Sequence, residues 1–279
     1  MLSSIELKTP DQIRAMRAAG EVVARGLRAM CEAVRPGITT AEIDQIGRRV
    51  IEQAGATSNF FNYGAEWGMT PFPAVSCISV NEMVVHGIPN DRVVNEGDLV
   101  SIDYGAIVNG WHGDAARTCR IGSVDQIHAR LDEVTKEALW KGIEAAWHGK
   151  RIGDISAAIE MTARSSGLKV GICKDFTGHG IGTQMHMEPD VPNYVSRRKG
   201  PKLKSGMVIA IEPIFTVGTD QTIDLDDEWS VVTADSSWAA HWENTVAICD
   251  DGLWVLTEED GGYAELQARG IPLASIARA

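Results

Sequence analysis

Between residues 11 and 35, apolar side chains return every three or four positions, at Ile13, Met16, Gly20, Val23, Leu27, Met30 and Val34. That step is the mark of a helix with one apolar face. Thr9 or Asp11 can cap its start, Pro10 stands just inside, and Pro36-Gly37 ends it. A second helix is predicted from Thr40 to about Ala54, carried by Ile43, Ile46, Val50 and Ile51 and closed by Gly55. The period then shortens. Residues 74–80, 83–88, 99–108 and 115–121 read as short strands parted by Asn, Gly, Pro and Asp. Helical spacing returns over 125–149, with Leu131, Val134, Ala138 and Ile143 on one side, and again over 155–164 after Gly153-Asp154. Strands resume around Val170 and over 207–215, 229–234 and 245–248.

The order of two helices followed by strands thus occurs twice. It has an echo at residue level: Gly97-Asp98-Leu99-Val100-Ser101-Ile102-Asp103 aligns with Gly206-Met207-Val208-Ile209-Ala210-Ile211-Glu212 at an offset of 109 residues. His86-Gly87-Ile88 is echoed more weakly by His179-Gly180-Ile181. No linker or low-complexity tract separates the halves. The expected architecture is one α+β domain in two layers over residues 1–279. Its related halves, about 11–122 and 125–250, would be set around a pseudo-twofold so that the corresponding strands end at a common cleft.

Composition narrows the function. At 279 residues, with 44% hydrophobic and 23% charged positions, the chain is of ordinary globular make-up. Its 38 acids exceed its 26 Lys and Arg, for a net charge of -12. That balance disfavours DNA or an anionic membrane as the main partner, since both select a basic face. Apolar runs such as 207–211 are strand-sized and fall far short of the ~18 residues of a membrane span. The stretch Met1 to Lys8 lacks the pattern of a secretory signal. Five scattered cysteines without a Cys-x-x-Cys pair support neither a disulfide framework nor a zinc ribbon, and a reducing cytoplasm is expected.

The informative acids are the few that follow apolar strands. Asp103 follows Leu99–Ile102 and Glu212 follows Val208–Ile211. A buried ionised acid is costly unless it is paired or bound to a metal. Asp114 lies across the Asn109-Gly110 turn at hairpin spacing, where it can face Asp103, and Glu243 precedes the strand at 245–248. Converging carboxylates repel, and divalent cations relieve that repulsion. His179, in Gly178-His179-Gly180-Ile181-Gly182, adds an imidazole where glycines let the backbone come close to a ligand. Together these residues point to a metal site.

Five segments in order carry a resemblance: residues 76–89 (SCISVNEMVVHGIP), Asp103 with Asp114, Gly178–Gly182, Ile211-Glu212-Pro213 and Trp242-Glu243-Asn244-Thr245. They resemble the type I methionine aminopeptidases of peptidase family M24, over about residues 5 to 260. The resemblance implies the duplicated pita-bread fold shared with creatinase and prolidase. It implies a cytoplasmic metallo-aminopeptidase that removes the initiator methionine before a small second residue. Asp103, Asp114, His179, Glu212 and Glu243 would hold two divalent ions (Co, Mn, Fe or Zn), with Asp114 and Glu243 bridging. Glu212 would also take a proton, His186 would stabilise the developing oxyanion, and His86 would hydrogen-bond the scissile nitrogen. Cys77, Phe72, Met185 and Trp229 would wall the methionine pocket, together with His86 and His186. The implied partners are a peptide or nascent-chain N-terminus and a transient contact with the ribosome. No direct DNA or membrane binding is implied, and the expected state is a monomer.

The chain departs from the family pattern in places. Thr70-Pro71-Phe72-Pro73-Ala74, with a longer Gly64–Met69 ahead of it, replaces the usual Gly-Tyr/Phe-Pro. Gly105 stands for a common threonine and Asn244 for a common histidine. His112, His128, His148 and His241 match no catalytic position and read as surface or packing residues, with His112 close enough to Asp114 to support it. A prolidase-like dipeptidase shares the five ligands, but it usually carries a further N-terminal domain where only 102 residues precede Asp103 here. The 31-residue step from Glu212 to Glu243 leaves no room for the type II helical insertion. Metal-free binding proteins on this fold lack the ligands that this chain retains.

Overall fold

A computed structural model describes residues 5–278. The first half opens with α1 (Pro10–Ala33) and α2 (Thr40–Ala54), each started by a capping box. Thr9 accepts the Gln12 amide and donates its own N–H to the Gln12 side chain, and Thr39 and Glu42 repeat the exchange. Gly55, at φ 62°, ends α2 in the left-handed region that glycine enters without strain. Next come β1 (Thr57–Ser58), β2 (Ser76–Val80), β3 (Leu99–Val108) and β4 (Trp111–Arg120), all antiparallel, with β3 paired to each of the others. The Tyr104 ring, fully buried on β3, fits between Gly26 of α1 and Gly47 of α2, and its hydroxyl donates to the Gly47 carbonyl at 2.7 Å. A Cβ at Gly26 would stand inside that ring. The two glycines therefore set how closely the helices approach the sheet.

The strand expected over 83–88 does not form. Val84 and Val85 are both buried, so the segment does not alternate, and it turns with His86 at φ 57°. Gly87 lies against the backbone of β2, accepting the Ile78 amide at 2.8 Å, at a distance where no side chain fits.

The second half repeats the element order. It has α3 (Gln126–His148), α4 (Ile152–Ser165), β5 (Gly171–Ile172), β6 (Gly178–Gly180), β7 (Met187–Val191) and β8 (Val208–Ile211). These are followed by β9 (Ile214–Thr216), β10 (Thr222–Asp224), β11 (Val231–Thr233), β12 (Ala239–His241), β13 (Asn244–Cys249), β14 (Gly252–Val255) and α5 (Tyr263–Ala268). The expected strand over 207–215 is two strands, β8 and β9, broken at Glu212-Pro213. One sheet runs β14-β13-β8-β6-β7, and a smaller one runs β12-β9-β5. Each of the two aligned strands follows a glycine in the left-handed region, Gly97 at φ 91° and Gly206 at φ 87°. Apolar faces of α1 and α2 bury Val23, Leu27 and Ile43 against the first sheet, and α3 and α4 bury Leu139, Ile143 and Ile159 against the second.

Backbone bonds stitch the halves together. Ala116 of β4 and Glu243 exchange N–H···O bonds at 3.4 and 3.0 Å. The Thr118 hydroxyl accepts the His241 amide and donates to the His241 carbonyl. The Thr245 hydroxyl does the same for Asp114. This seam is where the carboxylates meet. No helix among the described residues is long and apolar enough to cross a membrane.

Candidate metal centre

A cavity of about 130 Å³ opens beside the seam, with Asp103, Asp114, His179, Glu212 and Glu243 in its wall. Asp103 lies in the middle of β3 rather than at a strand end, opposite Ala116. Asp114 pairs with Gly105, so the two acids are not directly opposed. They lie on one face of the hairpin, offset by two residues, because side chains alternate along a strand. His179 sits on the short strand β6, and Glu212 follows β8 at its break. Donor atoms of Asp114, His179 and Glu243 lie within 4.8 Å of one another.

The electrostatics fit a cation. Burial pushes the Asp103 carboxyl up to about 7. Burial first, and then neighbouring carboxylates, hold Asp114, Glu212 and Glu243 well above the usual range. Asp103 Oδ1, Asp114 Oδ1 and Glu243 Oε1 are buried with no donor among the described residues. Burial drives His179 down to about 3, so it is neutral. Its Nδ1–H donates to the Gly180 carbonyl at 3.0 Å, which leaves the Nε2 lone pair 3.6 Å from Glu212 Oε1. Four acceptor-only carboxylates and one neutral imidazole form an oxygen-rich donor set suited to hard or borderline divalent metals.

The predicted pocket residues come together beside these groups. Phe72, Cys77 and Met185 are buried in one apolar cluster with Phe60, and Trp229 packs against it. Phe72 meets Trp229 edge-on, with ring centroids 5.4 Å apart. Cys77 faces Asp103 directly across β2 and β3, and burial pushes its thiol well up, so it is a wall rather than a nucleophile. His86 stands edge-on to Phe176 and Trp229, and burial lowers it to about 4. His186 lies at the mouth, 4.4 Å between centroids from His179.

The apolar lining residues Phe60, Val85, Phe176 and Ile214 were not anticipated, and neither were two polar ones. His241, read as a packing residue, has its Nε2 at 3.9 Å from both Glu212 Oε2 and Glu243 Oε2 and no hydrogen-bond partner among the described residues. Tyr63 joins its hydroxyl to His186 Nδ1 at 2.6 Å. The only signal for His241 was its place two residues before Glu243, and Tyr63 lies in a loop with no motif. His112 is half-buried and reaches Asn59 Oδ1 at 3.0 Å, and the Asn59 amide donates to the carbonyl of Gly113, next to Asp114, at 3.0 Å. His128 stacks on Trp238, and both it and His148 lie outside the cavity wall.

The departures have physical accounts. A Cβ at Gly105 would collide with the Asn59 amide, so the missing threonine side chain is what admits Asn59. Asn244 accepts from Thr257 and Arg117 and donates to Glu258, and Arg117 also donates to the Glu243 carbonyl at 2.6 Å. The longer 64–69 segment forms one helical turn, Ala65–Trp67, that sets Trp67 edge-on to Tyr63 at 5.1 Å.

Comparison with known proteins agrees with this geometry. The model of metallopeptidase family M24 matches residues 14–250. The chain is 46% identical over 254 residues to the methionine aminopeptidase of Clostridium acetobutylicum, covering 91% of this chain and 98% of that protein. It is 46% identical over 255 residues to methionine aminopeptidase 1 of Mycobacterium tuberculosis, covering 90% and 94%. The crystal structure of the methionine aminopeptidase from Thermotoga maritima superposes with a TM-score of 0.86 at 37% identity, covering 92% of this chain and all (100%) of that one. The prolidase from Pyrococcus furiosus shares the pita-bread fold at a TM-score of 0.70 and 24% identity, over 90% of this chain and 65% of that one.

Proposed function

Because the chain belongs to metallopeptidase family M24, among its methionine aminopeptidases, we propose that it hydrolyses the first peptide bond of peptides and nascent proteins that begin with methionine and continue with a small residue. The carrying observation is the buried cluster of Asp114, His179 and Glu243, with the unpartnered Asp103 oxygen and Glu212 beside it. In this reading those five residues would hold two divalent ions. Such ions supply a hydroxide nucleophile at neutral pH and polarise the scissile carbonyl.

The chain's own groups do the rest. Phe60, Phe72, Cys77, Met185 and Trp229 take up the methionine side chain. A cavity of about 130 Å³ suits one unbranched side chain, since one of roughly 150 Å³ holds benzene. Glu212, ionised once it holds metal, accepts a proton from the attacking water. Tyr63 donates to His186 Nδ1, which leaves Nε2–H to donate to the carbonyl oxygen as charge develops. His86 hydrogen-bonds the scissile nitrogen. The enzyme acts in the cytoplasm as a monomer, on chains emerging from the ribosome with which it associates transiently.

Turnover of Met-Ala, Met-Gly, Met-Leu and Ala-Pro peptides under Mn, Fe, Co and Zn tests this reading. Cleavage of Met-Ala and Met-Gly, with Met-Leu poor and Ala-Pro untouched, is expected. Cleavage of Ala-Pro but not Met-Ala would assign a dipeptidase instead.

A further inference from the structure

The net charge of -12 conceals a local reversal. Between β7 and β8 the chain reads Ser196-Arg197-Arg198-Lys199-Gly200-Pro201-Lys202-Leu203-Lys204, and Lys150-Arg151 lie against it at the start of α4. Backbone bonds fix the two segments together. The amides of Ile152 and Gly153 donate to the carbonyls of Pro201 and Lys199, and the Leu203 amide donates to the Lys150 carbonyl, at 2.9–3.1 Å. Arg151 pairs with Lys202 in a bridge and donates its guanidinium to the Gly200 carbonyl at 2.8 Å. Gly200, at φ 65°, makes the turn. With the backbone polar groups turned inward, the side chains of Lys150, Arg197, Arg198, Lys199, Lys202 and Lys204 are exposed.

None of these side chains makes an ion pair among the described residues. Elsewhere cations pair readily, as Arg17, Arg92, Arg117, Arg120 and Arg269 do. The acids nearby are Asp154, Glu188, Asp190 and Glu160, the last taken up by the Val195 amide and Arg164. Asp154 is occupied by the amides of Lys150 and Arg151. After the Lys150 amide, Lys199 is the only one of the six side chains near enough to Asp154 to help lower its carboxyl, and a rigid turn that keeps six exposed cations out of ion pairs on an acidic protein concentrates positive potential for an anionic partner.

We propose that this turn docks the chain on the phosphate backbone of a folded RNA. Arginine forks and lysine ammonium groups on a fixed turn suit successive phosphates. A bilayer would also call for an apolar face to enter it, and here Val195 is the one large exposed apolar side chain in the turn. The biological sense of such docking rests on the peptidase reading, since the N-terminus of a nascent chain emerges beside ribosomal RNA. The binding itself does not.

The test uses the full metal-loaded chain with a fluorescent RNA hairpin, read by anisotropy across a salt series, and with phosphatidylserine vesicles read by co-sedimentation. Met-Ala-Ser turnover is followed in the same preparations. The expected result is salt-sensitive hairpin binding that weakens at least tenfold in Arg197→Glu/Arg198→Glu/Lys199→Glu. The log K against log[salt] slope should fall by about 2, as losing three phosphate contacts requires. Lys202→Glu/Lys204→Glu, on the other limb of the turn, should weaken binding in the same direction. Turnover should stay within about twofold in both variants. The proposal is overturned if the wild type does not bind the hairpin, if both variants bind it as the wild type does, or if vesicles are bound in preference to RNA. Loss of Met-Ala-Ser turnover in the wild type would instead strike the peptidase reading and leave the RNA result standing.

Discussion

The stability that the protein loses when metal is removed should grow as pH rises toward neutrality. In the metal-free chain, burial lifts the Asp103 carboxyl from about 3.8 to about 7. A folded-state value above the unfolded one means that the folded state binds more protons between those limits. The Asp103 contribution is therefore complete below about pH 4 and is lost as pH climbs to about 7, while His86, His112, His179 and His241, held down at about 3 to 4 by burial, act in the opposite direction below about 6.5. Asp103 alone accounts for up to about 4 kcal/mol, at 1.36 kcal/mol per pH unit. Asp114, Glu212 and Glu243 are raised too and act in the same direction. At about 2 °C per kcal/mol for a chain of this size, the penalty near pH 7.5 is about 8 °C in Tm. Bound divalent ions cancel it by neutralising the ionised carboxylates. Melting of chelated and Mn2+-loaded protein, followed by circular dichroism between pH 5 and 8, reads the effect as the gap between the two curves. That gap should widen steadily with pH. Metal-free Asp103→Asn should melt above the metal-free wild type at pH 7.5, because one buried charge is gone. A gap that is flat or narrows with pH would refute the electrostatic reasoning.

Tyr63→Phe should lower kcat/KM on Met-Ala-Ser by about tenfold with Tm unchanged, since it severs only the 2.6 Å bond that orients His186. His241→Asn should weaken Mn2+ binding by about 10- to 100-fold in calorimetry, because its ring faces two of the proposed ligands at 3.9 Å; unchanged affinity would make it mere packing. Gly26→Ala should cost about 2–3 kcal/mol, read as a lower denaturation midpoint with specific activity intact in the folded fraction, because the new methyl would enter the Tyr104 ring. Gly105→Thr should displace Asn59 from the Gly113 carbonyl beside Asp114 and lower turnover of Met-Ala-Ser; turnover equal to that of the wild type would show that Asn59 does not help position Asp114.

Helices α1 and α2 were legible because each carries its apolar face at helical spacing and its own capping residues, α2 beginning and ending where Thr39, Glu42 and Gly55 place it; α3 showed by spacing alone, α4 begins three residues before the expected 155, and the six-residue α5 carries no such signal. The long strand β3 was equally plain. The stretch 83–88 was misread because two consecutive buried valines look like a strand when the chain is in fact turning under β2. β6 and β7 escaped because their glycines and prolines are punctuation in sequence and pairing partners in space. At the site, the carboxylates stood out because acids after apolar strands are costly to bury. The offset of Asp103 from Asp114 depends on a register that hairpin spacing does not determine. His241 and Tyr63 reach the cavity only through tertiary packing, and no local pattern marks them. Net charge was the least informative quantity, since it averaged an acidic surface with the basic turn at 197–204.

The central claim is that the carboxylate–imidazole cluster is a metal centre that releases an N-terminal methionine. Methionine release from Met-Ala-Ser by stripped protein, measured as Mn2+ is titrated back, tests it most directly. The account predicts no release without metal and a saturable recovery that Asp103→Asn lacks while keeping its fold. Undiminished release from the fully chelated protein would contradict it.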